Sequence, residues 1–476
     1  MSTPAGRAPI NREKRLNTLS AYLGETSALL REYARGEDEV NVDQRIRTFS
    51  HGKPDDLLVA LEVLSAIPDA ITVIHGPRGC AVSQLQRALL ARGRAFGRWT
   101  VTDLDQKATI MGADAKLRAA VAAFYHRYGP KVVFIVATPA VAINNDDIQS
   151  VVDELSGELG TIIIPIYASG FTSKTSVYGY DLVAHSLVKT LVKNPPAERG
   201  AWVNLLSLAE SSGDRDEARR LLQALGLETL TLPDGAGVQD FAKAAGARFS
   251  VPLDFDAGHY LGRAFQDVAQ VPLLDVPRPI GLVGTREWLL TVGAAAGKQS
   301  EARDFHAREA AALAEILEAQ PLRGAKVYLS LAPATALGVL NLVKETGGHV
   351  AGLTVSHVDQ LHLDGLRKFQ DQSPALQIHI GEGQGFEEAN LLQRLKPDLY
   401  VGDGGQLVQA ARLGIPSVFL PRIPVVGYRG VRAFARRTAL ALKNRAFVAR
   451  FAGGPQLFAD NWFQRSAHWH IKQEVK

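Results

Sequence analysis

Thiols are almost absent from this chain, with one cysteine, Cys80, in 476 residues. An intrachain disulfide is therefore excluded, and a reducing, cytoplasmic compartment is the expectation. Long apolar runs are missing too. No stretch approaches the roughly 20 uninterrupted residues of a membrane span, and Met1 to Arg7 lacks the apolar core of a secretory signal. A dominant charge is also lacking, because 53 Lys and Arg stand against 49 Asp and Glu, and the net charge of +4 gives no argument for nucleic acid. The charges are scattered, apart from short basic clusters such as Arg429 to Arg437. No Walker A sequence occurs, so any ATP requirement must be met by a separate protein, and no Gly-x-Ser-x-Gly elbow points to a hydrolase.

What remains is an ordinary globular composition, 46% hydrophobic and 21% charged, in a chain of 51.4 kDa. That size exceeds what a single core supports, so two or three domains are expected. Apolar runs of strand length alternate with helical periods. Ala70 to Ile74, Lys131 to Val136 and Thr161 to Ile166 are each followed by a helical stretch, as are Trp202 to Leu208, Arg323 to Leu331 and Pro397 to Gly402. Continuous apolar strands separated by helices mean parallel sheets covered on both faces. The fold class expected is thus α/β, with three Rossmann-like parallel-sheet units. The scheme is a helical arm over 1–40, centred on a broken apolar face within 12–36, then units at 41–199, 200–320 and 321–425, and a C-terminal helix and tail over 426–476.

Cys80 closes the hexapeptide His75-Gly76-Pro77-Arg78-Gly79-Cys80, directly after a strand run. Free cysteines are most often small buried hydrophobes. Here Gly76, Pro77 and Gly79 permit a tight turn with little bulk around the sulfur, at a strand's carboxyl end where ligands of such sheets sit. Thr138 and Gly402 to Gly405 fall at equivalent places. One thiolate cannot hold an iron-sulfur cubane, which needs about four protein ligands; if Cys80 is a ligand, the others come from another chain. His51 and Asp55 are candidates to replace missing thiolates, since imidazole and carboxylate both ligate iron, although turn or capping duty at a helix start is the first reading of Asp55. His75 is read as orienting backbone. The pair His468 and His470, and the Gly-x-Gly-x-Gly run Gly381 to Gly385, are weaker candidates for metal and phosphate.

These elements together resemble component 1 of the nitrogenase superfamily. The resemblance rests on the His75 to Cys80 turn, on Thr102 to Lys107 followed by Gly112 to Leu117, on Asn145-Asp146-Asp147-Ile148, and on Pro397 to Gly402. His259 to Arg263 with Pro279-Ile280-Gly281 is closer to the β-type subunit. Two departures matter. The family's other cysteine regions read Ser50 to Asp55 and Ala137 to Ala140 here, without thiols. Around Asp254 and Phe255, and at Pro421 to Pro424, the cysteine and histidine that hold the active-site cofactor in α-type subunits have no counterpart.

The resemblance implies a β-like subunit of a nitrogenase-like reductase, without the active-site cofactor. Cys80, flanked by Arg78 and Gly79, would complete a bridging iron-sulfur cluster, either [4Fe–4S] or a larger P-cluster type. The α-like paralogous partner, in an α2β2 assembly, would hold any larger iron-sulfur cofactor and reduce the substrate. An ATP-dependent iron protein homodimer would supply electrons. The Thr102 to Leu117 segment is similar to that of nitrogenase, its cofactor-assembly scaffold and the methylthio-alkane reductases, and C–S cleavage of a methylated sulfur compound is the favoured activity. Three alternatives are a cofactor-assembly scaffold, a dark-operative tetrapyrrole reductase subunit and a metal-free structural paralogue.

Overall fold

The computed structural model describes residues 18–34, 55–82, 98–173, 175–208, 211–370, 376–450 and 452. Its strands, in chain order, are β1 (Ala21–Glu25), β2 (Ala70–His75), β3 (Arg98–Val101), β4 (Val132–Ala137), β5 (Ile162–Tyr167), β6 (Trp202–Ser207), β7 (Glu228–Pro233), β8 (Ser250–Pro252), β9 (Lys326–Ser330), β10 (His349–Val355), β11 (Gln377–Gly381), β12 (Leu399–Gly402) and β13 (Ser417–Phe419). They form three sheets, as expected of three Rossmann-like units, and the chain divides into two compact units.

Unit one, whose described residues are 55–82, 98–173, 175–208 and 226–275, carries a parallel sheet of order β3-β2-β4-β5 and a second parallel sheet of order β7-β6-β8. Along β2, β4 and β5, alternate residues enter two different cores. Ile74, Phe134, Val136, Ile164 and Ile166 face one, and Ile71, Val73, Val133, Ile135 and Ile163 the other. This two-sided burial is why the strands read as unbroken apolar runs. Each such side chain contributes on the order of 1.5–3 kcal/mol when removed from water. The helices between strands begin and end on local signals: Asp147 caps Ile148–Leu159 through the Ser150 N–H, and Gly129 and Gly160, both left-handed, end Asp114–Tyr128 and Ile148–Leu159.

Unit two, whose described residues are 18–34, 211–225, 276–370, 376–450 and 452, carries the sheet β1-β11-β10-β9-β12-β13. Its parallel part runs outward in both directions from β9, the doubly wound order. The helical reading of 12–36 is corrected here. Of its described residues, Ala21–Glu25 form the antiparallel edge strand β1 on β11, and only Thr26–Ala34 are helical. Sheet hydrogen bonds offered by β11 outweigh the helical spacing of the leucines, with Tyr22 opposite Ile380 and Gly24 opposite Ile378. The expected C-terminal helix is Gly427–Lys443. No helix among the described residues is long and apolar enough to cross a membrane.

Candidate functional site

In the order β3-β2-β4-β5 the chain steps from β2 to β3 on one side and returns to β4 on the other. The loops leaving β2 and β4 therefore diverge, and the crevice between them is where an open α/β sheet takes its ligands. Cys80 follows β2 and Thr138 follows β4, so both stand at this reversal.

The turn after β2 is held from three sides. The Gly76 N–H donates to Thr102 Oγ1 at 3.0 Å, the Leu104 N–H donates to the Gly76 carbonyl at 3.2 Å, and the Thr138 N–H donates to the His75 carbonyl at 3.1 Å. A Cβ on Gly76 would lie 2.1 Å from Thr138 Oγ1, so only glycine lets β2 exit this close to the end of β4. Residues 78–82 are helical, with the Cys80 N–H donating to the Pro77 carbonyl at 3.1 Å. Cys80 thus sits one step past the turn, on the first helical residues, and it is half-buried. A Cβ on the preceding Gly79 would meet nothing within 4 Å among the described residues, which leaves that side of the segment open to them.

Burial, and then the charge of Asp55, push the Cys80 thiol above its ordinary range. By itself this sulfur is a protonated thiol at neutral pH. Asp55 caps the helix Asp56–Ser65, its Oδ1 accepting the Leu58 N–H at 2.9 Å. His51 lies outside the described residues, as do His468 and His470.

Sequence reasoning missed Asp56. It is 3% exposed, accepts the Gly170 N–H on Oδ1 at 2.8 Å, and has no partner for Oδ2 among the described residues. Burial first, then the neighbouring Asp55, raises its pKa to about 6. The Thr138 hydroxyl, fully buried, is likewise without a partner among the described residues. Nothing in a Pro-Asp-Asp sequence tells which acid faces inward. The register of the helix, whose Leu57, Ala60, Leu61 and Leu64 enter the core, decides it.

His75 is fully buried below the turn, with Nδ1 3.0 Å from Thr102 Oγ1 and Nε2 3.2 Å from Asp146 Oδ2. Burial holds its pKa below the ordinary histidine value while Asp146 opposes the shift. Both ring nitrogens are engaged, so it braces the turn. Arg78 pairs with Asp103, both of them exposed, and Asp103 adopts a left-handed φ of 52°. Lys116 Nζ donates to the Asp103 carbonyl at 3.2 Å and to Asp105 Oδ2 at 2.8 Å. Asp105 in turn caps Gln106–Met111 by accepting the Ala108 N–H. The 102–117 motif is therefore a clamp on the Cys80 turn.

Around this edge, large apolar side chains face solvent. Ile110 and Met111 end one short helix, Ile143 lies on Pro139–Asn144, and Phe171 follows β5, with exposures of 80, 77, 73 and 68%. Exposed apolar side chains of this kind are a common feature of protein-binding faces.

In unit two, Gly402 ends β12 and Asp403 to Gly405 follow it at the β9/β12 reversal. The run Gly381 to Gly385 instead connects β11 to the helix Gly385–Leu395, with Gly383 at a φ of 70°. That places it away from the reversal.

A family model described as nitrogenase component 1 type oxidoreductase matches residues 56–443. Over 396 residues the chain is 24% identical to the nitrogenase iron-molybdenum cofactor biosynthesis protein NifE of Nostoc sp., covering 80% of this chain and 82% of that protein. Over 410 residues it is 22% identical to the nitrogenase molybdenum-iron protein alpha chain of Methanococcus maripaludis, covering 81% of this chain and 85% of that protein. Among solved structures, nitrogenase Cp1 at pH 6.5 matches with a TM-score of 0.75 at 16% identity, over 85% of this chain and 95% of that one. That last likeness is one of fold.

Proposed function

The chain belongs to the nitrogenase component 1 family of oxidoreductases, and from that premise we propose that it is the β-like, cofactor-poor subunit of a nitrogenase-like two-component reductase. The observation that carries the reading is the donor set at the β2/β4 reversal: one half-buried thiol, Cys80, with an open side at Gly79 and an exposed apolar rim. A cubane needs about four protein ligands. This donor set fits one corner of an iron-sulfur cluster shared with a second chain. It does not fit a cluster held by this chain alone.

Cys80 would hold the cluster, whether [4Fe–4S] or the larger P-cluster type, and the remaining ligands would come from an α-like paralogue. When bound, the cluster supplies one-electron transfer. The contribution of this chain is positional. The clamp through Thr102, His75 and Thr138 fixes where the sulfur stands, and Ile110, Met111, Ile143 and Phe171 exclude water once covered by the partner. Arg78, two residues before the ligand and paired with Asp103, would offer positive charge to the shared site or to a docking iron protein once that exposed pair opens. Asp55 is retained as a helix cap whose charge tunes the thiol, with iron ligation its alternative duty. The assembly proposed is α2β2 in the cytoplasm, fed by an ATP-dependent iron protein homodimer. The substrate, reduced in the partner, is a methylated sulfur compound cleaved at C–S, preferred over a tetrapyrrole double bond and a small multiply bonded molecule.

A second reading, a scaffold for cofactor assembly, is favoured by the similarity to NifE proteins. One experiment separates these readings. The chain is purified without oxygen together with its paralogue, with Cys80 intact and as Cys80→Ala. Iron that falls in the variant supports the shared cluster, and turnover of a methyl thioether by the intact complex supports the reductase. Transfer of a bound precursor without turnover supports the scaffold, whereas iron unchanged by the substitution overturns the ligand assignment.

A further inference from the structure

The C-terminal part of unit two carries a feature that the proposed electron-transfer role does not use. From Gly404 to Ala459 the sequence contains no Asp or Glu, while nine Lys and Arg fall in the same stretch. A chain with a net charge of only +4 has therefore concentrated its positive charge here.

The helix Gly427–Lys443 sorts these residues by face. Tyr428, Val431, Phe434, Ala435 and Thr438 are buried. On the opposite side Arg429, Arg432, Arg436, Leu440 and Lys443 are exposed, at intervals of three or four residues. At about 100° per residue they fall within one narrow stripe. The helix Arg445–Ala449 follows at once and presents Phe447. Leu440 is 47% exposed and Phe447 62%. Arg429 leans on Glu217, and Arg432 donates to the Ala312 carbonyl at 3.2 Å. Arg436 and Lys443 have no ion-pair partner among the described residues. An amphipathic helix ordinarily mixes both charge signs on its wet face, since opposite charges three or four residues apart stabilise it. A stripe of one sign instead repels itself; among the described residues only Arg429 has an opposite charge, Glu217, beside it, and the charges toward the C-terminal end of the stripe await one.

We propose that this stripe is a docking surface for an acidic protein partner that presents carboxylates at helical spacing around an apolar contact. Arginine dominates the stripe, and its planar fork pairs carboxylates two bonds at a time. Arginine and aromatic residues are also the side chains most enriched in protein–protein contacts. Leu440, in line with the charges, argues for a protein surface over a phosphate backbone, against which an aliphatic side chain has nothing to bury. A second copy docking through this same stripe would bring like charge to like charge, which favours a different molecule as the partner.

The test uses the full chain co-purified with its paralogue, and a fluorescein-labelled probe peptide of Glu-Glu-Leu repeats about 20 residues long, near the length of the exposed helical face. Fluorescence anisotropy is followed against salt. The expected result is binding that weakens as salt rises. Arg436→Glu with Lys443→Glu should reduce affinity roughly tenfold or more, and Leu440→Ser with Phe447→Ser should reduce it separately, with folding checked by circular dichroism. Equal binding of the probe by the wild-type and both variant complexes would overturn the proposal. So would tighter binding of oligo(dT), or of phosphatidylglycerol vesicles, than of the peptide at matched charge.

Discussion

A methyl group placed on Gly76 would stand 2.1 Å from the hydroxyl of Thr138, closer than any two such atoms can approach. These two residues lie at the carboxyl ends of neighbouring parallel strands, and their contact sets how near the Cys80 segment runs to β4. Gly76→Ala should therefore force the two strand ends apart, at a cost of about 1–3 kcal/mol. Gly79→Ala, three residues on, has no atom of the described residues within 4 Å of the new Cβ and should fold with stability unchanged within about 0.5 kcal/mol. Urea titration of the two variants checks the contrast, and equal destabilisation would mean the turn is not packed as described.

The strands of this site were legible from sequence for a physical reason. Val132 to Ala137 is buried on both faces, so its apolar run is unbroken, and the same holds for Ala70 to Ile74. The Cys80 turn was legible because glycine and proline punctuate it. Asp56 was not, because Asp55 and Asp56 are chemically alike and only the register of their helix decides which is solvated. Ala21 to Glu25 was misread because its strand character comes from β11, more than 350 residues away in the chain, which no local spacing reports.

Asp56 should make stability fall as pH rises. Its folded pKa of about 6 lies above the ordinary 3.8, so between these values the native state binds more protons than the unfolded one. Stability is thus lost as pH climbs from about 4 to 6, and the full deficit, on the order of 3 kcal/mol, persists above that range. Asp56→Asn keeps an oxygen for the Gly170 N–H and removes the buried charge. It should raise the unfolding midpoint at pH 8 and leave it nearly unchanged at pH 4, measured by thermal melts in the two buffers.

His75 works in the opposite sense. Its pKa is held below the ordinary histidine value, so the native state favours the neutral ring, and stability is lost as pH falls from about 6.5 through the folded value. His75→Ala would leave Asp146 and Thr102 without this partner and should cost about 1–3 kcal/mol at pH 8. The deficit should narrow in acid, because the variant no longer carries a buried group that must take up a proton. Denaturant midpoints at pH 8 and pH 5 check this, and a deficit that grows in acid would show that His75 is charged in the folded chain.

Asp55 and Cys80 are coupled through charge, and the coupling can be read without any metal. Asp55 raises the Cys80 thiol by electrostatic repulsion of the thiolate, second to burial, while its Oδ1 caps Asp56–Ser65. Asparagine caps helices as well as aspartate does. Asp55→Asn should therefore preserve the helix and shift the pH profile of Cys80 alkylation by iodoacetamide toward lower pH, since the thiolate is the reacting species. The only thiol in the chain is the one observed, so the profile needs no assignment. Asp55→Ala should produce the same shift together with a loss of about 1 kcal/mol from the missing cap. A profile that stays at its wild-type position in Asp55→Asn would mean that burial alone sets the thiol, and that Asp55 serves its helix and nothing beyond it.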